Sequence, residues 1–331
     1  MNLACPRDFY FHVDGLAMQP KQDGMDWAMS DTNGVGAPLT HGKVVGFSNE
    51  HKDWSYNWGM RLGAGFYLDH DAWNLDFNWT WVKISDYKRA NVSTGGGALL
   101  PFWAVGIDSA VAMLNNQMTS AVWDGNYNTI DIKLAKPYHV SRYLVLSPHW
   151  GLRGGWINQH FSVDYSGTVG ATNNRYVHHA DNDFWGVGAR AGLNSDWLLG
   201  KGFCLFGNTA MSMLYGKFDI DQHLATPAAQ YSGVNNGFDV DADHYMNVPN
   251  LEIILGLGWG QHFDKNRYHV GLRAAYEFHY WWNQLNLRRF WSGNFQGAGV
   301  NTSTGGSYTN DVVSRGDFSL SGFSLSLQFD M

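Results

Sequence analysis

The charged residues that could do chemistry here are few, and their spacing is regular. Arg61, Asp76, Asp131, Lys133, Arg153, Arg190, Glu252, Arg273 and Glu277 all occupy the polar phase of segments in which apolar and polar residues alternate one by one. A period of two gathers such residues on one face of a β-sheet. Around a water-filled lumen they would line a channel and set its ion preference. In a narrow lumen they would pair with one another and plug it. In an open channel, five cations against four carboxylates predict weak charge selectivity.

Other candidates are weaker. Asp239-Val240-Asp241-Ala242-Asp243 opens with the spacing of a calcium loop. His244, however, stands where the turn glycine belongs and Asn250 where the bidentate acid belongs, so a solvated loop is expected. His178-His179 with Asp181 could hold a surface metal, but adjacent histidines on a loop are expected to ligate nothing. The sequence therefore implies no metal and no cofactor. A hydrolase at the rim would need His178, His179, Asp181, Asp241 and His244 to converge. No nucleophile motif accompanies them, and the chain is not read as an enzyme.

The elements that must position the charges are written most clearly in Trp54 to Ile84. Even positions from Trp54 to Leu68 are apolar against Ser55, Asn57, Gly59, Arg61, Gly63 and Gly65. After Asp69-His70-Asp71 the phase resets, with Trp73, Leu75, Phe77, Trp79 and Trp81 against Asn74, Asp76, Asn78 and Thr80. This is a hairpin with one oily and one polar face. A soluble sandwich would alternate too, so length decides between them. The runs last about nine to fifteen residues, whereas ordinary strands have a mode of about 5–6 and membrane-spanning strands need about 9–11.

The same rule recurs along the chain and predicts one all-β domain over residues 1–331, an antiparallel transmembrane β-barrel. Four short turns alternate with five long connections at 19–52, 86–118, 164–181, 219–246 and 283–315. That is the asymmetry of short periplasmic turns and long extracellular loops. The count is ten strands, or twelve if Met25–Ser30 and Lys43–Phe47 form an extra hairpin in the wall. The unusually apolar stretch Ala98–Leu114 is expected to fold against the barrel mouth or into the lumen.

Composition agrees. The 331 residues are 15% charged with 39 Gly and 16 Trp, and mean hydropathy is −0.30. No stretch approaches the eighteen or more apolar residues of a membrane helix. A formal charge of −7 and the lack of a basic stripe argue against nucleic acid. Met1-Asn2-Leu3-Ala4 shows no signal peptide, so Met1 is expected to begin a mature-length chain whose leader was removed. Aromatic residues fall into two interfacial belts, with Trp73, Trp197 and Tyr268 near the short turns and Trp54, Trp81, Trp156, Trp185 and Trp282 toward the long loops. Cys5 and Cys204 both fall near the periplasmic rim. An oxidising periplasm would allow a bridge within the chain or between protomers, and the alternative is two unrelated thiols.

Several stretches resemble the Legionella-type major outer membrane protein family, also represented in chlamydia-like bacteria. They are FYFHVDGLAMQP at Phe9–Pro20, SPHWGLRGGWINQ at Ser147–Gln159, the run from Asn182 to Phe218, and YEFHYWWNQ at Tyr276–Gln284. The resemblance implies a pore-forming outer-membrane barrel and offers no catalytic residues. One departure is the end of the chain, Gln328-Phe329-Asp330-Met331, where such barrels usually close on an aromatic residue. The function expected is a porin-like channel for passive diffusion of small hydrophilic solutes and ions in the bacterial outer membrane. Its partners would be membrane lipid, lipopolysaccharide and those solutes, with homo-oligomers and host-surface contacts through the loops as further partners. The alternative is a non-conducting barrel acting in adhesion or envelope structure through its loops.

Overall fold

The structure is a computed structural model that describes residues 9–31, 42–47, 55–68, 73–91, 98–103, 115–169, 172–225, 238–264, 267–294 and 307–331. Its strands, in chain order, are β1 (Phe9–Gln22), β2 (Ala28–Asp31), β3 (Gly42–Val45), β4 (Asn57–Tyr67), β5 (Asn74–Asn91), β6 (Ala98–Pro101) and β7 (Asn115–Ala135). They continue with β8 (Tyr138–His139), β9 (Leu144–Val169), β10 (Thr172–Gly200), β11 (Phe203–Ala225), β12 (Phe238–Phe263), β13 (Tyr268–Asn294) and β14 (Ser307–Asp330). Among the described residues the wall is an antiparallel ring of ten: β10-β11-β12-β13-β14-β1-β4-β5-β7-β9, with β9 pairing back onto β10. β1 closes on β14 from Tyr10↔Asp330 to Gln22↔Phe318. A closed ring leaves no unpaired edge, which is what lets strands stand in lipid. The short β8 is an eleventh strand laid on the edge of β9.

The twelve-strand alternative is resolved by where its hairpin lies. β2 and β3 do pair, Ala28↔Val45 to Asp31↔Gly42, but β2 then pairs with β6 in a separate three-stranded sheet. That sheet sits inside the barrel, packed against apolar residues of the inner wall. Met25, Trp27, Phe47, Leu99 and Trp103 are buried in one cluster with Trp123, Phe161 and Tyr165 of the wall.

The short turns are tight. At Leu198–Gly202 the chain passes through three positive φ angles, 96° at Gly200, 53° at Lys201 and 84° at Gly202. Two glycines meet that geometry without the steric penalty a side chain would bring.

The long connections, by contrast, are shorter than the sequence pattern implied. β9 and β10 run 26 and 29 residues, and β12 and β13 run 26 and 27. Most of the segments expected to be loops at 164–181 and 219–246 are therefore strand. The reason is an inversion of the alternation. Below Trp156 and Trp185 the outward residues are apolar, such as Trp150, Leu152, Val187, Leu255 and Leu257, all exposed to the surroundings. Above them the outward residues are polar, including Asp124, His160, His179 and Asp241, and the inward ones are buried Trp123, Phe161, Val163, Tyr165, Phe218 and Leu224. Below the belt lipid is outside and charge inside; above it water is outside and an apolar core inside.

The belts mark the boundary. Trp185 and Trp197 are both outward and about half exposed. Twelve residues at about 3.3 Å each, tilted about 40°, separate them by roughly 30 Å, the thickness of a bilayer core. Trp156 and Tyr268 are also exposed, while Trp73, Trp81 and Trp282 are half-buried. Trp54 lies outside the described residues.

Candidate functional site

At membrane level the lumen holds a chamber of about 260 Å³ that reaches the short-turn mouth, where Tyr67, Pro137 and Gln328 line it. The strand register brings all nine charges of the polar phase to its wall: Arg61 from β4, Asp76 from β5, Asp131 and Lys133 from β7, Arg153 from β9, Arg190 from β10, Glu252 from β12, and Arg273 and Glu277 from β13. His12, Asp14, His149, Asp196 and His279 line it as well. These five sit on the same phase of their strands, so the alternation that marks the nine marks them too.

Most of these groups are braced against one another. Arg61 donates to Asp14 Oδ2 at 3.1 Å and, through both terminal nitrogens, to Glu277 at 3.0 and 2.6 Å. Lys133 Nζ lies 2.8 Å from Asp76 Oδ1, and Tyr10 Oη donates to the other oxygen of Asp76 at 2.7 Å. Arg153, 2% exposed, forks onto Asp131 through Nε and Nη2 at 2.6 Å each. Arg153 and Arg190 both also pair with Glu252. His279 spans Glu252 and Glu277 at 3.1 and 3.0 Å. The pairs cross the lumen between β4 and β13 and between β9 and β12. Bidentate contacts of this kind are the strong ones, and they narrow the lumen to the chamber that remains. Arg273 is the loosest member, 3.9 Å from Asp196 and stacked over Phe206 at 5.2 Å.

Above the chamber the inner sheet stoppers the barrel. Trp27 and Phe47 meet edge to face at 5.0 Å, and Trp103 stacks on His178 at 5.2 Å. Tyr165 Oη donates to the Trp27 carbonyl at 2.5 Å. Arg289 donates to the carbonyls of Gly24 and Asp26 at 3.1 Å each and covers the Trp103 ring at 4.5 Å. The described part of the apolar second connection, 98–103, is thus inside the lumen, where Leu99 and Trp103 supply its oil. Burial among these rings pushes the His178 imidazole down to about 3, so it is neutral at physiological pH.

The rim residues do not converge. His178 points inward into the core, whereas Asp181, one strand phase away, faces out and bonds to His160 at 2.5 Å. That bond holds the His160 imidazole above its ordinary range. His179 and Asp241 face solvent, and His244 stacks inward on Phe218 at 5.4 Å. Asp239, Asp241 and Asp243 lie along extended β12, so the loop expected there is a strand that cannot wrap a cation. Cys204 is a free, half-buried thiol at the foot of β11, and Cys5 lies outside the described residues.

Among solved structures, the chain aligns with the outer membrane protease OmpT from Escherichia coli at 7% identity and a TM-score of 0.43, covering 100% of this chain and 98% of that one. It also aligns with the Pseudomonas putida toluene transporter TodX (10% identity, TM-score 0.30, 98% and 90% covered) and a Pseudomonas aeruginosa FadL homologue (9%, 0.26, 98% and 90%). At these scores the likenesses say nothing of its chemistry. No curated protein matches it. The family described as the Legionella pneumophila major outer membrane protein precursor matches residues 4–331, nearly the whole of a chain that forms a closed outer-membrane barrel, and the protein belongs to that family.

Proposed function

We propose that this outer-membrane barrel is a diffusion pathway for small hydrophilic solutes, closed at its outer end in this structure. The carrying observation is the charged chamber of about 260 Å³ at membrane level, reaching the short-turn mouth. The chamber is left open although most of its charges are paired, which supports a path for polar solutes through the membrane level of the barrel. Passage requires the inner sheet to move aside. It is held mainly by aromatic burial, and removing one large buried aromatic weakens such packing by about 3–5 kcal/mol. The reading leaves the protein without catalysis. It places lipid and lipopolysaccharide against the apolar band and leaves oligomerisation and host contact to the extracellular strand extensions.

A second reading has its own observation. Trp27, Phe47 and Trp103 are buried in one apolar cluster in the outer lumen, which suits a non-conducting barrel. Planar-bilayer conductance separates the two. The full chain is expected to give rare discrete steps, and a Phe47→Ala/Trp103→Ala variant larger and more frequent ones. If both stay silent while remaining heat-modifiable on gels, the pathway reading fails and the non-conducting barrel stands.

A further inference from the structure

The chamber's charges are balanced, but its unsatisfied hydrogen-bonding groups are sorted by side. On the wall formed by β9 and β10, buried donors lack partners. Arg190 uses Nη2 on Glu252 while its Nε and Nη1 have none, and neither ring nitrogen of His149 has one. Both residues line the chamber and are 8% and 5% exposed. On β1 and β5 the free groups are acceptors, Asp14 Oδ1 and Asn78 Oδ1, at residues 4% and 5% exposed. In the ring of ten, β1 stands five places from β10, diametrically opposite, and β5 stands two places from β9 on the near side. Buried polar groups in native proteins find partners, so a donor wall facing an acceptor wall describes what fits between them.

We propose that the chamber binds small zwitterions, α-amino acids and short peptides, with the carboxylate on Arg190 and His149 and the ammonium on Asp14 and Asn78. A lone anion would meet only one wall, and so would a lone cation. The lining carries five Lys or Arg against six Asp or Glu, which gives no net pull on either simple ion and leaves a dipole as the matching solute. The volume accommodates one: at roughly 30 Å³ per water it holds about eight or nine waters, which a dipeptide displaces. The inference rests on the pathway reading for its physiological meaning, since it names the solute class of that chamber, but binding is measured without any conduction.

The test is calorimetric titration of the refolded full chain in detergent with diglycine, and separately with acetate and with ethylammonium, which carry the two charges apart. Diglycine is expected to bind and each half alone to bind at least about tenfold more weakly, the factor of a single charge-assisted hydrogen bond. His149→Ala and Asn78→Ala, which leave every ion pair intact, are each expected to weaken diglycine several-fold. Arg190→Gln should abolish binding while heat-modifiability is kept. Acetate binding as tightly as diglycine, with Asn78→Ala silent, would reduce the site to an anion site and overturn the proposal. So would no heat with any of the three, which would leave ordered water as the partner of these groups. A chain that binds diglycine but never conducts would sink the pathway and keep the site; one that conducts without binding would do the reverse.

Discussion

Glu252 is the residue on which the lumen turns. It is 4% exposed and answers Arg153, Arg190 and His279 together. Removing one partner from a buried charge network leaves the others without compensation, at a cost of about 3–5 kcal/mol. Glu252→Gln is therefore expected to lower the unfolding midpoint in urea sharply, and far more than Lys217→Gln at the surface, whose bonds to Asp219 and Asp243 are solvent-exposed. Equal effects would mean that the network is decoration. The same parity that puts Glu252 inside was readable from Leu251, Ile253 and Leu255 around it. That it serves two guanidiniums was not: the β9–β10 hairpin sets Arg153 beside Arg190, but Arg153 on β9 meets Glu252 on β12 only across the lumen of the closed ring.

At the scale of the strands, the inversion at the aromatic belt can be tested on one element. On β12, Ile253 faces out between the belts and Asp241 faces out above them. An arginine on a lipid-facing barrel position costs about 2–4 kcal/mol near the midplane and close to nothing at the interface. Ile253→Arg is expected to carry that penalty in refolding into vesicles, and Asp241→Arg to be neutral. If Asp241→Arg costs as much as Ile253→Arg, the upper half of β12 is not in water. The strands' lower halves were legible because lipid demands an unbroken outward apolar phase. Their upper halves read as loops because the apolar phase changes sides there, and a sequence shows a phase but not which side is wet.

For the whole molecule, closure depends on a neutral histidine. His178 titrates near 3 in the folded state against about 6.5 unfolded, because burial beside Trp103 penalises its charge. The folded value is depressed, so the stability it withholds is lost as pH falls below 6.5 and the unfolded state takes up the proton first. By pH 4.5 the loss reaches about 3 kcal/mol. Conductance and protease sensitivity of the inner sheet are expected to rise between pH 6.5 and 4.5, and His178→Phe, which cannot charge, to flatten that rise. A His178→Phe variant as acid-sensitive as the native chain would place the switch elsewhere.

The sequence by itself determined a great deal: an antiparallel outer-membrane barrel, a wall of ten or twelve strands, and the apolar phase of each strand's lower half. Each of these is local, since a two-residue period and an aromatic at each end are properties of one strand at a time. What only the tertiary structure decided is how full the barrel is. The hairpin of β2 and β3 reads as two more wall strands until its pairing with β6 places it inside, and Trp27 and Trp103, 76 residues apart in the chain, meet only there. Whether a lumen is open depends on what long connections bury within it, and that is settled by packing between distant segments, for which no single strand carries a signal.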